Sequence, residues 1–123
     1  MAKTILIVDD SSSLRTVVKI ALERAGYAVL EAGDGKQALT ALEKAGKVNL
    51  IISDVNMPQM NGFELLAQIK QHPRHRFVPV IMLTTESQTE KKEMGRAGGA
   101  KAWISKPFNP PQLLDAVSKL IVA

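Results

Sequence analysis

The chain has 123 residues, 46% hydrophobic and 23% charged, the balance of one globular domain, and no apolar run approaches the length of about 20 residues that spans a bilayer. Cysteine is absent, which excludes disulfides, thiol catalysis and cysteine-containing zinc sites and fits a reducing compartment. Sixteen Lys and Arg against twelve Asp and Glu give a net charge of +4, but the basic residues are scattered from Lys3 to Lys119 and aromatic residues are few, so no phosphate-tracking stripe or stacking platform for nucleic acid is visible.

In chain order, the first apolar run, Thr4 to Val8, reads as a strand. It is too short for the apolar core of a signal peptide, roughly seven residues or more, so a cytoplasmic protein with no membrane partner is expected. Leu14, Val17, Val18, Ala21, Leu22 and Ala25 then repeat at helical spacing up to Gly26, a left-handed stop. Ala28 to Ala32 is the second strand. Asp34 with Gln37 opens a second helix, which carries Ala38, Ala41, Leu42 and Ala45 and stops at Gly46. Leu50 to Ser53 is the third strand, and Asn61 with Glu64 is a capping box for a third helix. Val78 to Leu83 is the fourth strand, followed by a helix from Ser87, boxed with Glu90, to Gly98. Ala102 to Ser105 is the fifth strand, and Asn109-Pro110-Pro111-Gln112 opens a last helix bearing Leu113, Val117, Leu120 and Ile121.

Strand and helix alternate five times, and strands that are apolar throughout suit a parallel sheet covered on both faces. The expected fold class is α/β: a doubly wound five-stranded parallel sheet with five helices, for which the flavodoxin-like strand order 2-1-3-4-5 would make the first and third strands neighbours. No repeat, linker or composition change divides residues 1–123, so one domain is expected, with no output domain after the last helix.

Three of the five aspartates, Asp9, Asp10 and Asp54, stand just after the first and third runs. If those strands are neighbours, the carboxylates converge at the carboxyl edge of the sheet, where doubly wound folds bind ligands. Such crowding is tolerable with a proton or a hard cation between them, and oxygen ligands point to Mg²⁺. The alternative is that Asp9 and Asp10 cap the first helix and Asp54 merely ends a strand. Thr84 and Thr85 follow the fourth run and Lys106 the fifth. A hydroxyl and an ammonium facing three carboxylates assemble a phosphoryl-transfer site.

These residues carry a family resemblance. Asp9-Asp10, the stretch Asp54-Val55-Asn56-Met57-Pro58-Gln59-Met60-Asn61-Gly62, Thr84 and Lys106-Pro107-Phe108 resemble response-regulator receiver domains over essentially the whole chain, in particular stand-alone chemotaxis regulators of the CheY type. The resemblance implies that Asp54 is the phospho-acceptor. Asp10 and Asp54 would ligate Mg²⁺ directly, Asp9 through water, and Asn56 by its backbone carbonyl. Lys106 would contact the phosphoryl oxygens, Thr84 would hydrogen-bond the phosphoryl group, and Lys106-Pro107 would be a cis peptide. The donor would be a histidine kinase. The output would be a target protein, such as the flagellar motor switch, docked on the face made by the Ser87–Gly98 helix, the fifth strand and the last helix. Such a protein catalyses its own phosphorylation and dephosphorylation without being a turnover enzyme, and works as a monomer with no nucleic acid.

Some positions depart from the family pattern or tune it. Trp103 stands where receivers carry a Tyr or Phe rotamer switch; it could swing, stay outward as a partner contact, or simply pack. Thr85 and Glu86 border the switch. Asn56 and Glu86 flank the acceptor site, and both are polar, so phosphoryl loss in seconds to minutes is expected. The Ser87–Gly98 helix has a poor apolar stripe and should be the least firmly held. His72 and His75 flank Pro73 with no carboxylate beside them in sequence, which is weak evidence for a metal. A haloacid-dehalogenase-like phosphatase would want an aspartate where Asn56 stands, and a phosphorylation-independent scaffold would not need the full acidic, Thr and Lys set.

Overall fold

The computed structural model describes residues 2–55, 60–85, 99–106 and 109–121. Five strands, β1 (Thr4–Val8), β2 (Ala28–Ala32), β3 (Leu50–Asp54), β4 (Val80–Thr85) and β5 (Ala102–Lys106), form one parallel sheet in the order β2-β1-β3-β4-β5. Four helices are described: α1 (Ser12–Arg24), α2 (Gly35–Lys44), α3 (Gly62–Gln71) and α4 (Pro110–Leu120). The expected Ser87–Gly98 helix lies outside the described residues.

Period-two alternation splits each central strand between two cores. Leu6, Val8, Ile51, Val80 and Met82 meet Ala38 and Leu42 of α2 and Leu65, Leu66 and Ile69 of α3. Ile5, Ile7, Leu50, Ile52, Ile81 and Leu83 meet Val18 and Leu22 of α1 and Leu113 and Val117 of α4. Both faces are therefore covered, which is why these strands are continuously apolar, and each fully buried Ile or Leu contributes about 1.5–3 kcal/mol. β2 departs from that rule. It pairs with β1 alone, at the sheet edge, and Ala28, Leu30 and Glu31 are exposed.

Polar caps start the helices. Ser11 Oγ accepts from Leu14 N–H at 3.2 Å, Asp34 Oδ1 from Gln37 N–H at 2.8 Å, and Asn109 Oδ1 from Gln112 N–H at 2.8 Å. The Asn61–Glu64 box is reciprocal, at 2.9 and 3.0 Å. The Asp34–Gln37 box is not, because Gln37 Oε1 accepts from Gly33 N–H instead. Gly26 has φ +98° as expected of a helix stop, whereas Gly46 is not left-handed and α2 ends through an extended Ala45. β4 starts two residues later than predicted. Val78 N–H is tied into a turn on the His75 carbonyl at 3.0 Å, and Pro79 has no N–H to give to a ladder. Among the described residues, no helix is long and apolar enough to cross a membrane.

Candidate metal centre and acceptor site

The register brings the acids together. Val8 of β1 lies opposite Ser53 of β3, so the next residues, Asp9 and Asp54, stand side by side at the carboxyl edge. Asp9 N–H donates to the Ala32 carbonyl at 3.1 Å, and its carboxylate Oδ1 accepts from Ser11 N–H at 2.8 Å. Ser11 occupies the N-cap of α1, which overturns the alternative that Asp9 and Asp10 cap that helix. One carboxylate oxygen from each of Asp9, Asp10 and Asp54 lies within 4.8 Å of the others. Asp9 and Asp54 are only 1% and 4% exposed, while Asp10 opens to solvent.

Two like charges about 4 Å apart repel by about 4 kcal/mol at an effective dielectric of 20, so this corner favours a cation. The donors are all oxygens, two of them on buried residues, which suits a hard divalent ion. The acidic pocket is thus able to bind a metal.

Strand register carries the backbone of Thr84, Thr85 and Lys106 to the same carboxyl edge. Leu83 aligns with Asp54, which puts Thr84 one residue further on; Thr84 pairs with Ser105 and Thr85 with Lys106. Hydropathy along the chain places Asp54, Thr84, Thr85 and Lys106 just beyond their strands, but each is a strand residue, because parallel pairing continues past the last apolar side chain. Asn56, Glu86, Pro107 and Phe108 lie outside the described residues. Trp103, opposite Met82, is partly buried against Phe63 of α3, with ring centres 5.9 Å apart and tilted by 42°. Its indole N–H is buried and has no hydrogen-bond partner among the described residues.

Two further residues shape the corner: Gly62, the last of the Asp54–Gly62 motif stretch, and Arg15. Gly62 opens α3 directly over β3: a Cβ there would come within 2.6 Å of Met82 Cε and 2.9 Å of Val55 Cα. Its N–H donates to the Val55 carbonyl at 2.9 Å, and Val55 N–H to the Leu83 carbonyl at 3.0 Å, so the chain after Asp54 is held on both sides. Arg15 of α1 donates to the Asp9 carbonyl and, through Nε, to Glu31 Oε1 at 3.2 Å. No sequence pattern marks Arg15, since its partners come from two other segments.

The histidines lie at the opposite edge of the sheet. His72 Nδ1 accepts from Arg74 N–H at 3.1 Å, which leaves the proton on Nε2, 2.8 Å from Glu43 Oε1. The fold therefore supplies the carboxylate that the local sequence lacks. His75 is buried, with Nε2 donating to the Leu42 carbonyl at 3.1 Å. Burial holds its imidazole below the ordinary range, against the opposing pull of that carbonyl.

The family model for the response regulator receiver domain matches residues 5–118. The Helicobacter pylori chemotaxis protein CheY1 is 36% identical over 118 residues, 95% of each chain. The solved structure of the Vibrio cholerae chemotaxis protein CheY4 superposes with a TM-score of 0.93 at 45% identity, covering 98% of this chain and 99% of that one. The Pseudomonas aeruginosa phosphate regulon transcriptional regulatory protein PhoB is 39% identical over 121 residues, 98% of this chain and 52% of its own length. With its parallel 2-1-3-4-5 sheet and three carboxylates gathered at the carboxyl edge, the chain belongs to the response regulator receiver family, as a CheY-like member with chemotaxis homologues.

Proposed function

We propose that the protein is a single-domain response regulator, residues 1–123 forming one receiver unit, whose Asp54 takes a phosphoryl group from a histidine kinase and whose phosphorylated form binds a target protein. The observation that carries this reading is the convergence of Asp9, Asp10 and Asp54 within 4.8 Å. Asp9, Asp10, Asp54 and the Asn56 carbonyl would hold Mg²⁺, which when bound neutralises charge on the transferring phosphoryl group. A carboxylate oxygen of Asp54 attacks phosphorus in line, the P–N bond to the donor imidazole breaks, and its electron pair stays on the departing nitrogen. Asp54 sits at the end of a paired strand, so it is oriented before the donor arrives. Lys106 contacts the phosphoryl oxygens, and Thr84 donates a hydrogen bond to the transferred group.

The target would dock on the face of β5 with Trp103 and α4, next to Thr85; Glu86 and the 87–98 helix expected to complete that face lie outside the described residues. By the company of its chemotaxis relatives, the target is the flagellar motor switch. A stand-alone receiver in another pathway is the second reading, favoured by the comparable identity to a phosphate regulon regulator. In either, the protein acts as a cytoplasmic monomer without nucleic acid or membrane and without turnover as an enzyme. Intact-mass measurement after incubation with Mg²⁺ and acetyl phosphate tests the proposal. A single labile phosphoryl adduct, absent in Asp54→Asn, is expected. No adduct would support a phosphorylation-independent scaffold, and continuous phosphate release from general phosphatase substrates would support a hydrolase.

A further inference from the structure

The geometry points to Arg15 as a positioning residue for the acidic centre, setting the affinity of that centre for a divalent cation; this rests on the reading that Asp9, Asp10 and Asp54 hold one. Arg15 sits one turn into α1, its N–H on the Ser11 carbonyl at 3.1 Å. Its guanidinium makes two different bonds at once. Nη1 donates to the backbone carbonyl of Asp9, and Nε donates to Glu31 Oε1 at 3.2 Å. Glu31 belongs to edge strand β2, and its other oxygen lies 3.6 Å from Lys19 Nζ, one turn further along α1. The Arg15 side chain is 19% exposed, so this fork is partly withdrawn from water, unlike an open surface pair.

Contacts that hold Asp9 thus include its N–H on the Ala32 carbonyl, its carboxylate on Ser11 N–H, and its carbonyl on Arg15. The Arg15 contact matters most for Asp10. The Asp9 carbonyl and the Asp10 nitrogen share one rigid peptide plane, so fixing the carbonyl fixes the direction in which the chain enters Asp10. Asp10 is the exposed member of the three, the one that packing constrains least.

Positioning and charge make opposite predictions. Removing Arg15 takes a positive charge from beside three carboxylates, which by Coulomb attraction alone would tighten divalent binding. Loss of orientation weakens it, by about 10–100-fold for partners that aim metal ligands. The test is Mn²⁺ titration of the whole chain without phosphodonor, free Mn²⁺ being followed by electron paramagnetic resonance at constant ionic strength. Arg15→Ala is expected to weaken Mn²⁺ binding at least about tenfold. Arg15→Lys keeps the charge but has no fork to reach both acceptors, and is expected to weaken it to a lesser degree. Thermal melting in EDTA checks folding; if Arg15→Ala does not fold, Arg15→Lys decides. Folded variants that bind Mn²⁺ as tightly as the wild type, or more tightly, overturn the positioning role. A wild-type protein that binds no Mn²⁺ overturns the metal reading and this inference with it.

Discussion

Replacing Gly62 with alanine tests whether α3 is seated directly on the strand that carries Asp54. The added Cβ would lie 2.6 Å from Met82 Cε, 2.9 Å from Val55 Cα and closer still to the Asp54 carbonyl oxygen. Methionine is flexible and can yield. The other two obstacles are backbone atoms, held by the hydrogen bonds from Val55 N–H to Leu83 and from Gly62 N–H to Val55. At an open helical position, glycine to alanine gains about 0.5–1 kcal/mol, whereas overpacking a tight core costs about 1–3 kcal/mol. Because backbone must move, the upper end of the cost applies, and a net loss of about 2 kcal/mol is expected. For a chain of this size that lowers Tm by about 8 °C. Circular dichroism melts and urea titrations in EDTA measure it without involving the metal centre, and phosphorylation by acetyl phosphate should slow in the same variant. A Gly62→Ala protein as stable as the wild type would refute the seating of α3 against the Asp54 backbone.

Acid should loosen the loop between α3 and β4. His75 titrates below its ordinary value in the folded chain, so under about pH 6.5 the unfolded chain takes up a proton that the folded one resists. Stability is therefore complete above that pH and falls as pH drops through the window beneath it. Urea midpoints between pH 7.5 and 5.5 should decline less in His75→Gln, which keeps an N–H donor but does not titrate; an equal decline would refute this. The Phe63–Trp103 contact should appear as a coupling of about 0.5–1.5 kcal/mol in a double-mutant cycle with leucine at each position. Strictly additive effects on the urea midpoint would show that the two rings contribute only their separate burial.

Much of the architecture is legible along the chain because its causes are local or periodic. Apolar runs such as Leu50–Ile52 announce strands buried on both faces, and Asn61 three residues before Glu64 announces a helix start. The placement of Asp9, Asp10 and Asp54 directly at the ends of two such runs carries the acidic centre, since β1 and β3 are neighbours in a 2-1-3-4-5 sheet. Strand ends are less legible: Thr84, Thr85 and Lys106 are polar yet paired, because a ladder is held by backbone groups that side-chain hydropathy does not report. Gly46 misleads because a left-handed stop is needed only where the chain reverses sharply out of its helix, and here it leaves extended toward β3.

The residue types, their periods and their caps are enough to determine the layers of this protein and to set Asp9, Asp10 and Asp54 at strand ends, since each follows from short-range spacing; the order β2-β1-β3-β4-β5, which brings those three acids to one corner, is decided by the tertiary structure. Only the tertiary structure decides which groups serve those acids and loops: Arg15 between Asp9 and Glu31, Gly62 against the Asp54 backbone, and Glu43 against His72. The Arg15–Glu31 and Glu43–His72 pairs join residues 16 and 29 apart in the chain, and even the nearer approaches of Arg15 to Asp9 and of Gly62 to Asp54 depend on crossover geometry and close packing, which no local pattern encodes.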